Sequence, residues 1–285
     1  MSTDLSTLNE LLKIAGEAAR AGADVLAGRA QTAPAGIPLT AENSGLEIKT
    51  SAADFVTDFD KKAEDAVRNV ITSYRPHDVI SGEEYGTTEV ADPSGYRWSI
   101  DPLDGTTNFV RGIAYYGTSV GLQAPDGAWI VGVVDAPALQ KMWWASAGQG
   151  AWTASYTSEP VRMHGPSGEL SAGLLASGFA YDAERREEQA AAVTDMLAQF
   201  GNMRRLGAAA LDICMVAEGT MDAYAEYGIQ EHDWAAAAVI AEEAGTPMRR
   251  PPMSTAMSTR TGRSPGTWAF LMTACVRAPK VSDPA

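Results

Sequence analysis

The sequence is poor in the residues that build transition-metal sites and covalent cross-links: its 285 residues include two cysteines and three histidines. Cys214 and Cys275 stand far apart, and Cys214 lies in an apolar pattern of helical period, so two free thiols are expected rather than a disulfide framework. His77, His164 and His232 lack the spacing of a zinc site. Positive charge is scarce as well. Lys and Arg number 22 against 36 Asp and Glu, for a formal net charge of −14, and no basic run occurs, which argues against nucleic acid or an anionic membrane as partner. No apolar run approaches the roughly 20 residues that span a bilayer. The first ten residues lack the basic start and apolar stretch of a secretory signal, so a cytoplasmic protein is expected. A Gly-rich nucleotide loop and a Ser-His-Asp arrangement are also missing. What remains is an ordinary 45% of hydrophobic residues, enough for a substantial core in one large domain or two compact halves.

Leu8, Leu11, Leu12, Ala15, Ala19, Val25 and Leu26 recur at helical spacing and predict a long amphipathic helix over the first thirty residues. Residues 32–44, rich in Pro, Gly, Ala and Thr, read as a loop. A second amphipathic helix is marked by Ala63, Val67, Val70, Ile71 and Tyr74, with Asp58 and Asp60 at its start, where unpaired amides accept carboxylates. Residues 79–84 read as a strand running into a turn, 98–101 as the next strand, and the alternating pattern over 116–152 as an antiparallel meander. Helices are predicted near 183–200, 208–218 and 234–244, the last closed by Gly245, and a final strand near 268–275. This order implies a layered α/β architecture. The division expected is an N-terminal α+β half, 1–155, and a C-terminal α/β half, 156–285.

The most informative stretch is Trp98-Ser99-Ile100-Asp101-Pro102-Leu103-Asp104-Gly105-Thr106-Thr107-Asn108-Phe109. Pro102 favours an extended Asp101, and Gly105 lets the chain turn sharply beside whatever the aspartates hold. Asp101, the Leu103 carbonyl and Asp104 can then converge on Mg²⁺, which prefers carboxylate, carbonyl and water oxygens. The Gly105 and Thr106 amides follow at once and suit a phosphate if a helix starts there. Taken alone, Asp-Pro and Asp-Gly are turn punctuation more often than metal sites. The run of hydroxyls followed by Phe109 is unusual for a solvated loop.

The string resembles the signature of the inositol monophosphatase family of Mg²⁺-dependent phosphatases, and two further segments match that family in the same order. Gly82-Glu83-Glu84 resembles its upstream element, whose first Glu is a metal ligand. Gly219-Thr-Met-Asp-Ala-Tyr-Ala-Glu226, followed by His232-Asp233-Trp234, resembles its second signature, whose aspartate completes the metal cluster. The resemblance implies a layered αβαβα sandwich of the inositol monophosphatase/sugar phosphatase type, with Glu83, Asp101, Leu103, Asp104 and Asp233 holding two or three Mg²⁺ ions. It places Thr106 on the attacking water with Asp60 behind it, and Glu83 among the catalytic groups. It assigns the phosphate to Gly105 and Thr106, and the organic half of the substrate to Gly207, Ala208, Ala209 and Glu226 beside Asp104 and Asp233. Four carboxylates would repel one another unless cations lay among them. The implied reaction is hydrolysis of a small phosphate monoester, and the implied assembly is a homodimer.

Three departures bear on the substrate. His232 stands before Asp233 where the family carries Trp, Gly245 is followed by Thr246-Pro247 where the family often has Gly-Gly, and the tail from Arg249 to Ala285 does not match the usual ending. Phe109-Val-Arg-Gly112 and residues 136–145 look more like the histidinol-phosphate phosphatase branch, although Trp143 and Trp144 there read first as core or dimer-packing residues. A histidinol phosphate, nucleoside 5′-phosphate or other specialised phosphate is therefore an alternative substrate. A catalytically silent scaffold is the alternative of a different class, although no ligand of the pattern is missing.

Overall fold

The computed structural model describes residues 3–34, 36–49, 55–167, 170–246, 248–249 and 272–276. Helix α1 (Leu5–Ala27) is capped by Asp4, whose carboxylate accepts from the Thr7 amide at 3.1 Å. It buries Leu8, Leu11, Ile14 and Leu26, worth about 1.5–3 kcal/mol per Leu or Ile. That stripe lies on helix α2 (Asp58–Tyr74) and on an eight-stranded sheet.

The sheet runs from a short edge strand (Gly86–Thr87) through β1 (Val79–Gly82), β2 (Arg97–Asp104), β3 (Gly117–Gln123), β4 (Trp129–Ala136), β5 (Lys141–Ser146) and β6 (Ala151–Ser155) to a second short edge (Val161–Arg162). Only the β1–β2 pairing is parallel. From β3 to β6 this is the expected meander. Helix α3 (Thr106–Arg111) follows β2 directly.

A five-stranded sheet is built from β7 (Leu174–Ala176), β8 (Asn202–Arg204), β9 (Ala223–Tyr227), β10 (Met248–Arg249) and β11 (Met272–Val276), in the spatial order β8-β7-β9-β11-β10. Helix α4 (Ala183–Leu197) covers one face, with Met196 against Leu175, Ala223, Ala225 and Tyr227. Helices α5 (Ala209–Glu218) and α6 (Glu231–Glu243) lie between the two sheets. The layers are therefore α1 and α2, the large sheet, α5 and α6, the small sheet, and α4. This is the αβαβα sandwich that the resemblance implied.

Helix α6 buries every residue from Trp234 to Ala241. It can do so because Gly121 and Gly132, paired across β3 and β4, leave room for its backbone. A Cβ at Gly121 would stand 2.9 Å from the Ala236 nitrogen, and one at Gly132 would overlap the Ala236 carbonyl oxygen.

Several boundaries differ from the sequence reading. The aspartates read as lying on a turn after a strand of residues 98–101 belong to the strand, which continues to Asp104. Helix α6 begins at Glu231, three residues before Trp234, because Asp233 accepts from the Gln230 amide and closes a capping box. The 32–44 loop is bracketed by helical turns at Arg29–Thr32 and Ala41–Ser44, the second closed by a Thr40–Asn43 capping box. Cys214 is a free, buried thiol. The side chain of Cys275, Pro247, and the tail apart from 248–249 and 272–276 lie outside what is described.

Candidate active site

Asp101 and Asp104 are an odd number of residues apart, so a regular strand would aim them at opposite faces. The pairing prevents this. Asp101 faces Ser119 and Asp104 faces Gly117, so β2 carries one more residue than β3 between these points. Such a bulge re-aims side chains, and both aspartates, with the Leu103 backbone between them, line one cavity of about 530 Å³. Gly105, at φ 92°, then breaks the strand into α3. That conformation is in the left-handed region that glycine tolerates best.

The same cavity is lined by Glu83 from the end of β1, Thr106 from α3, Gly207, Ala208 and Ala209 from the start of α5, Glu226 from β9, and His232 and Asp233 from α6. Asp60 lies beneath Thr106, which is 3.2 Å from its Oδ1 and 3.0 Å from the Leu103 carbonyl. The other Asp60 oxygen accepts from the Thr57 amide and hydroxyl, both at 2.7 Å. Every residue named for the site in the sequence thus lies in this cleft or directly behind it.

Burial and mutual repulsion dominate the electrostatics. Asp101 is held well above the usual carboxylate range by burial first and then by Glu83, Asp104 and Asp233. Asp104 is raised by burial and Asp233 although the Ala209 and Ala210 amides donate to it at 3.0 and 2.7 Å. Asp233 is also raised by burial, and burial pushes Asp60 up to about 7. On the far side, burial lifts Glu226 to about 7, although Tyr224 donates to it at 2.8 Å.

Three carboxylates held above their usual range, Asp101, Asp104 and Asp233, with Glu83 lining the same cleft, are a donor set suited to a hard divalent cation. Among the described residues Lys49 is the one Lys or Arg that forms an ion pair with any of these four, at 2.9 Å from Glu83. No three Asp, Glu, His or Cys side chains among those residues are already gathered into a coordinating set. Asp101 accepts from the Leu103 amide, Asp104 from α5 and Asp233 from Gln230.

Sequence reasoning missed the groups behind the cleft. Buried Glu64 accepts from the Glu84 and Tyr85 amides and pairs with Arg68 at 2.7 Å, fixing the turn that carries Glu83. Arg97 at the start of β2 grips Glu231 at the start of α6 and lies over the Trp129 ring, which meets Trp234 edge to face. Asp212, 1% exposed, takes the Tyr115 hydroxyl at 2.7 Å and is raised by burial to about 7. Two signals could have exposed these groups: the i, i+4 spacing of Glu64 and Arg68, and an aspartate inside the apolar run of α5.

A model of the inositol monophosphatase family matches residues 7–274. The chain belongs to the inositol monophosphatase family. Among its relatives, inositol-1-monophosphatase SuhB of Mycobacterium tuberculosis is 40% identical over 232 residues, covering 80% of this chain and 79% of that protein. Histidinol-phosphatase of the same organism is 38% identical over 195 residues, covering 67% and 72%. The solved structure of M. tuberculosis SuhB superposes with a TM-score of 0.72 at 32% identity, covering 94% of this chain and 91% of that one. Membership makes the protein one of a family of phosphatases. It does not choose a branch, since relatives of both names stand at similar identity. Trp143, part of the histidinol-type segment, is a core residue whose ring nitrogen donates to Glu218 at 2.7 Å.

Proposed function

We propose that this member of the inositol monophosphatase family is a Mg²⁺-dependent phosphomonoesterase that hydrolyses a small, hydroxylated organic phosphate with water as nucleophile. The observation that supports it most is the bulge in β2, which brings Asp101 and Asp104 to the same cleft as Glu83 and Asp233. Glu83, Asp101, the Leu103 carbonyl, Asp104 and Asp233 would hold two or three ions. Bound there, Mg²⁺ supplies a water of lowered pKa and neutralises phosphoryl charge.

The chain's own groups orient and exclude. Thr106, backed by Asp60, is placed to accept the proton side of the attacking water and hold it in line, while the Gly105 and Thr106 amides face the phosphoryl oxygens. Glu226, beside Gly207, Ala208 and Ala209, offers acceptor oxygens for the hydroxyls of the leaving group. Asp104 and Asp233 reach the junction of the two halves of the substrate. No covalent phosphoenzyme is required.

Among the described residues no helix is long and apolar enough to cross a membrane. A cytoplasmic homodimer completes the proposal; sedimentation equilibrium checks the dimer. The central experiment is phosphate release from inositol, histidinol, sugar and nucleoside monophosphates with and without Mg²⁺. Release that depends on Mg²⁺ is the expected result; none from any substrate would overturn the reading. Preference for histidinol phosphate would place the protein with its histidinol-phosphatase relative.

A further inference from the structure

We propose that the leaving group of the substrate carries a second anionic group, a carboxylate or a phosphate, received by Arg205 and Arg185; this rests on the phosphatase reading above. Both arginines line the cleft. Both belong to the wall opposite the carboxylate floor. Arg205 folds over Gly207, where a Cβ would overlap its Nη1, and the Arg185 Nη1 approaches Gly228, 3.7 Å from where a Cβ would stand. Gly228 lies two residues beyond Glu226, so the two guanidinium groups border the region that faces the organic half of the substrate.

Their lack of partners separates them from most other arginines of the chain. Arg29 is held by backbone carbonyls, Arg68 by Glu64, Arg75 by Asp78 and Arg97 by Glu231. Arg185 and Arg205 make no side-chain hydrogen bond or ion pair among the described residues. Arg205 eases the ionisation of Asp212 and Glu226 from a distance, but those carboxylates take their bonds from Tyr115 and Tyr224.

In a chain of net charge −14, two guanidinium forks in the cavity without a bonded partner among the described residues are a receptor for a planar or tetrahedral anion, which each can bind in bidentate fashion. Glu226 then takes a hydroxyl of the same leaving group. A cationic leaving group is repelled by these two arginines.

Two matched pairs test this, with Mg²⁺ present. Glycerol 3-phosphate and 3-phosphoglycerate differ by a carboxylate. Fructose 1-phosphate and fructose 1,6-bisphosphate differ by a second phosphate. The wild-type protein should favour the member with the second anion in at least one pair by about tenfold or more in kcat/KM, the worth of one charge-assisted hydrogen bond. Arg205→Gln and Arg185→Gln should each reduce that ratio, through KM, and Arg205→Lys should restore part of it. A wild-type ratio of one or below in both pairs, or variants that slow both members alike, overturns the proposal. Release from the wider monophosphate panel but from none of these four overturns this inference alone; absence of release from the panel and the four together would remove the phosphatase reading itself, and this inference with it.

Discussion

Asp60, Asp101 and Asp104, on the floor of the cleft, are 0, 2 and 7% exposed, and they stand on α2 and β2. The wall opposite is set by the 178–185 and 205–207 segments, where Arg185 and Arg205 are exposed, together with Glu226 from β9. The floor accepts a cost in buried charge to hold oxygens in fixed places, since a reaction driven by positioning loses rate steeply when groups shift. On the wall, the Arg185 and Arg205 side chains make no hydrogen bond or ion pair among the described residues and stand ready for the ligand. Substitutions on the floor should therefore act on kcat and on pH-dependent stability, and those on the wall on KM.

The largest effect is expected on the floor. Asp101→Asn keeps the acceptor for the Leu103 amide but removes a charge proposed to hold metal. We expect kcat to fall by about a thousandfold, equivalent to several kcal/mol of lost charge stabilisation, while the thermal midpoint stays level or rises. Near wild-type turnover would show that the floor is not the reacting site.

Next comes pH. Asp60 is raised to about 7 and Asp101 and Asp104 well above the usual range. Groups raised on folding stabilise the fold fully below their unfolded pKa, and the contribution is lost as pH rises through the folded value. The metal-free protein should lose thermal stability between about pH 4 and 7, and Mg²⁺ should raise the midpoint more at pH 8 than at pH 5. A metal-free midpoint that climbs over this window would contradict the coupling of the floor carboxylates.

Gly132→Ala is expected to cost about 1–3 kcal/mol by overpacking, measured by urea unfolding, and to lower kcat because α6 carries Asp233. Unchanged stability would mean that α6 does not seat as closely as described. The smallest effect belongs to the wall. Glu226→Gln should raise KM about tenfold, the worth of one hydrogen bond to a charged group, with kcat nearly unchanged; steady-state kinetics showing the reverse split would erase the distinction between floor and wall.

The floor was largely legible in the sequence because it is written in short strings: Gly82-Glu83-Glu84, the segment around Asp101, and His232-Asp233-Trp234 each keep their functional residues within a few positions. Helices α1, α2, α4 and α5 were legible from period and caps. The bulge was not, because the extra residue exists only relative to Gly117 and Ser119 on β3. The start of α6 was misplaced because the apolar run begins at Trp234, whereas the capping position is taken by Gln230, with Asp233 closing the box from inside the helix. The supports Glu64–Arg68 and Arg97–Glu231 were missed for different reasons. The first pair needed the question of what a buried acid bonds to, and the second joins residues 134 positions apart, beyond any local pattern.

The contact between α6 and the paired glycines also bears on how this protein can change over generations. Because main chain rests on main chain at Gly121 and Gly132, the separation between the β2 aspartates and Asp233 is inherited as a backbone dimension, insensitive to side-chain drift elsewhere but closed to the addition of even one methyl group at either glycine. The arginines across the cleft are under no such rule. A lineage can exchange Arg185, Arg205 or His232 one codon at a time and explore new leaving groups without repacking the frame that does the chemistry.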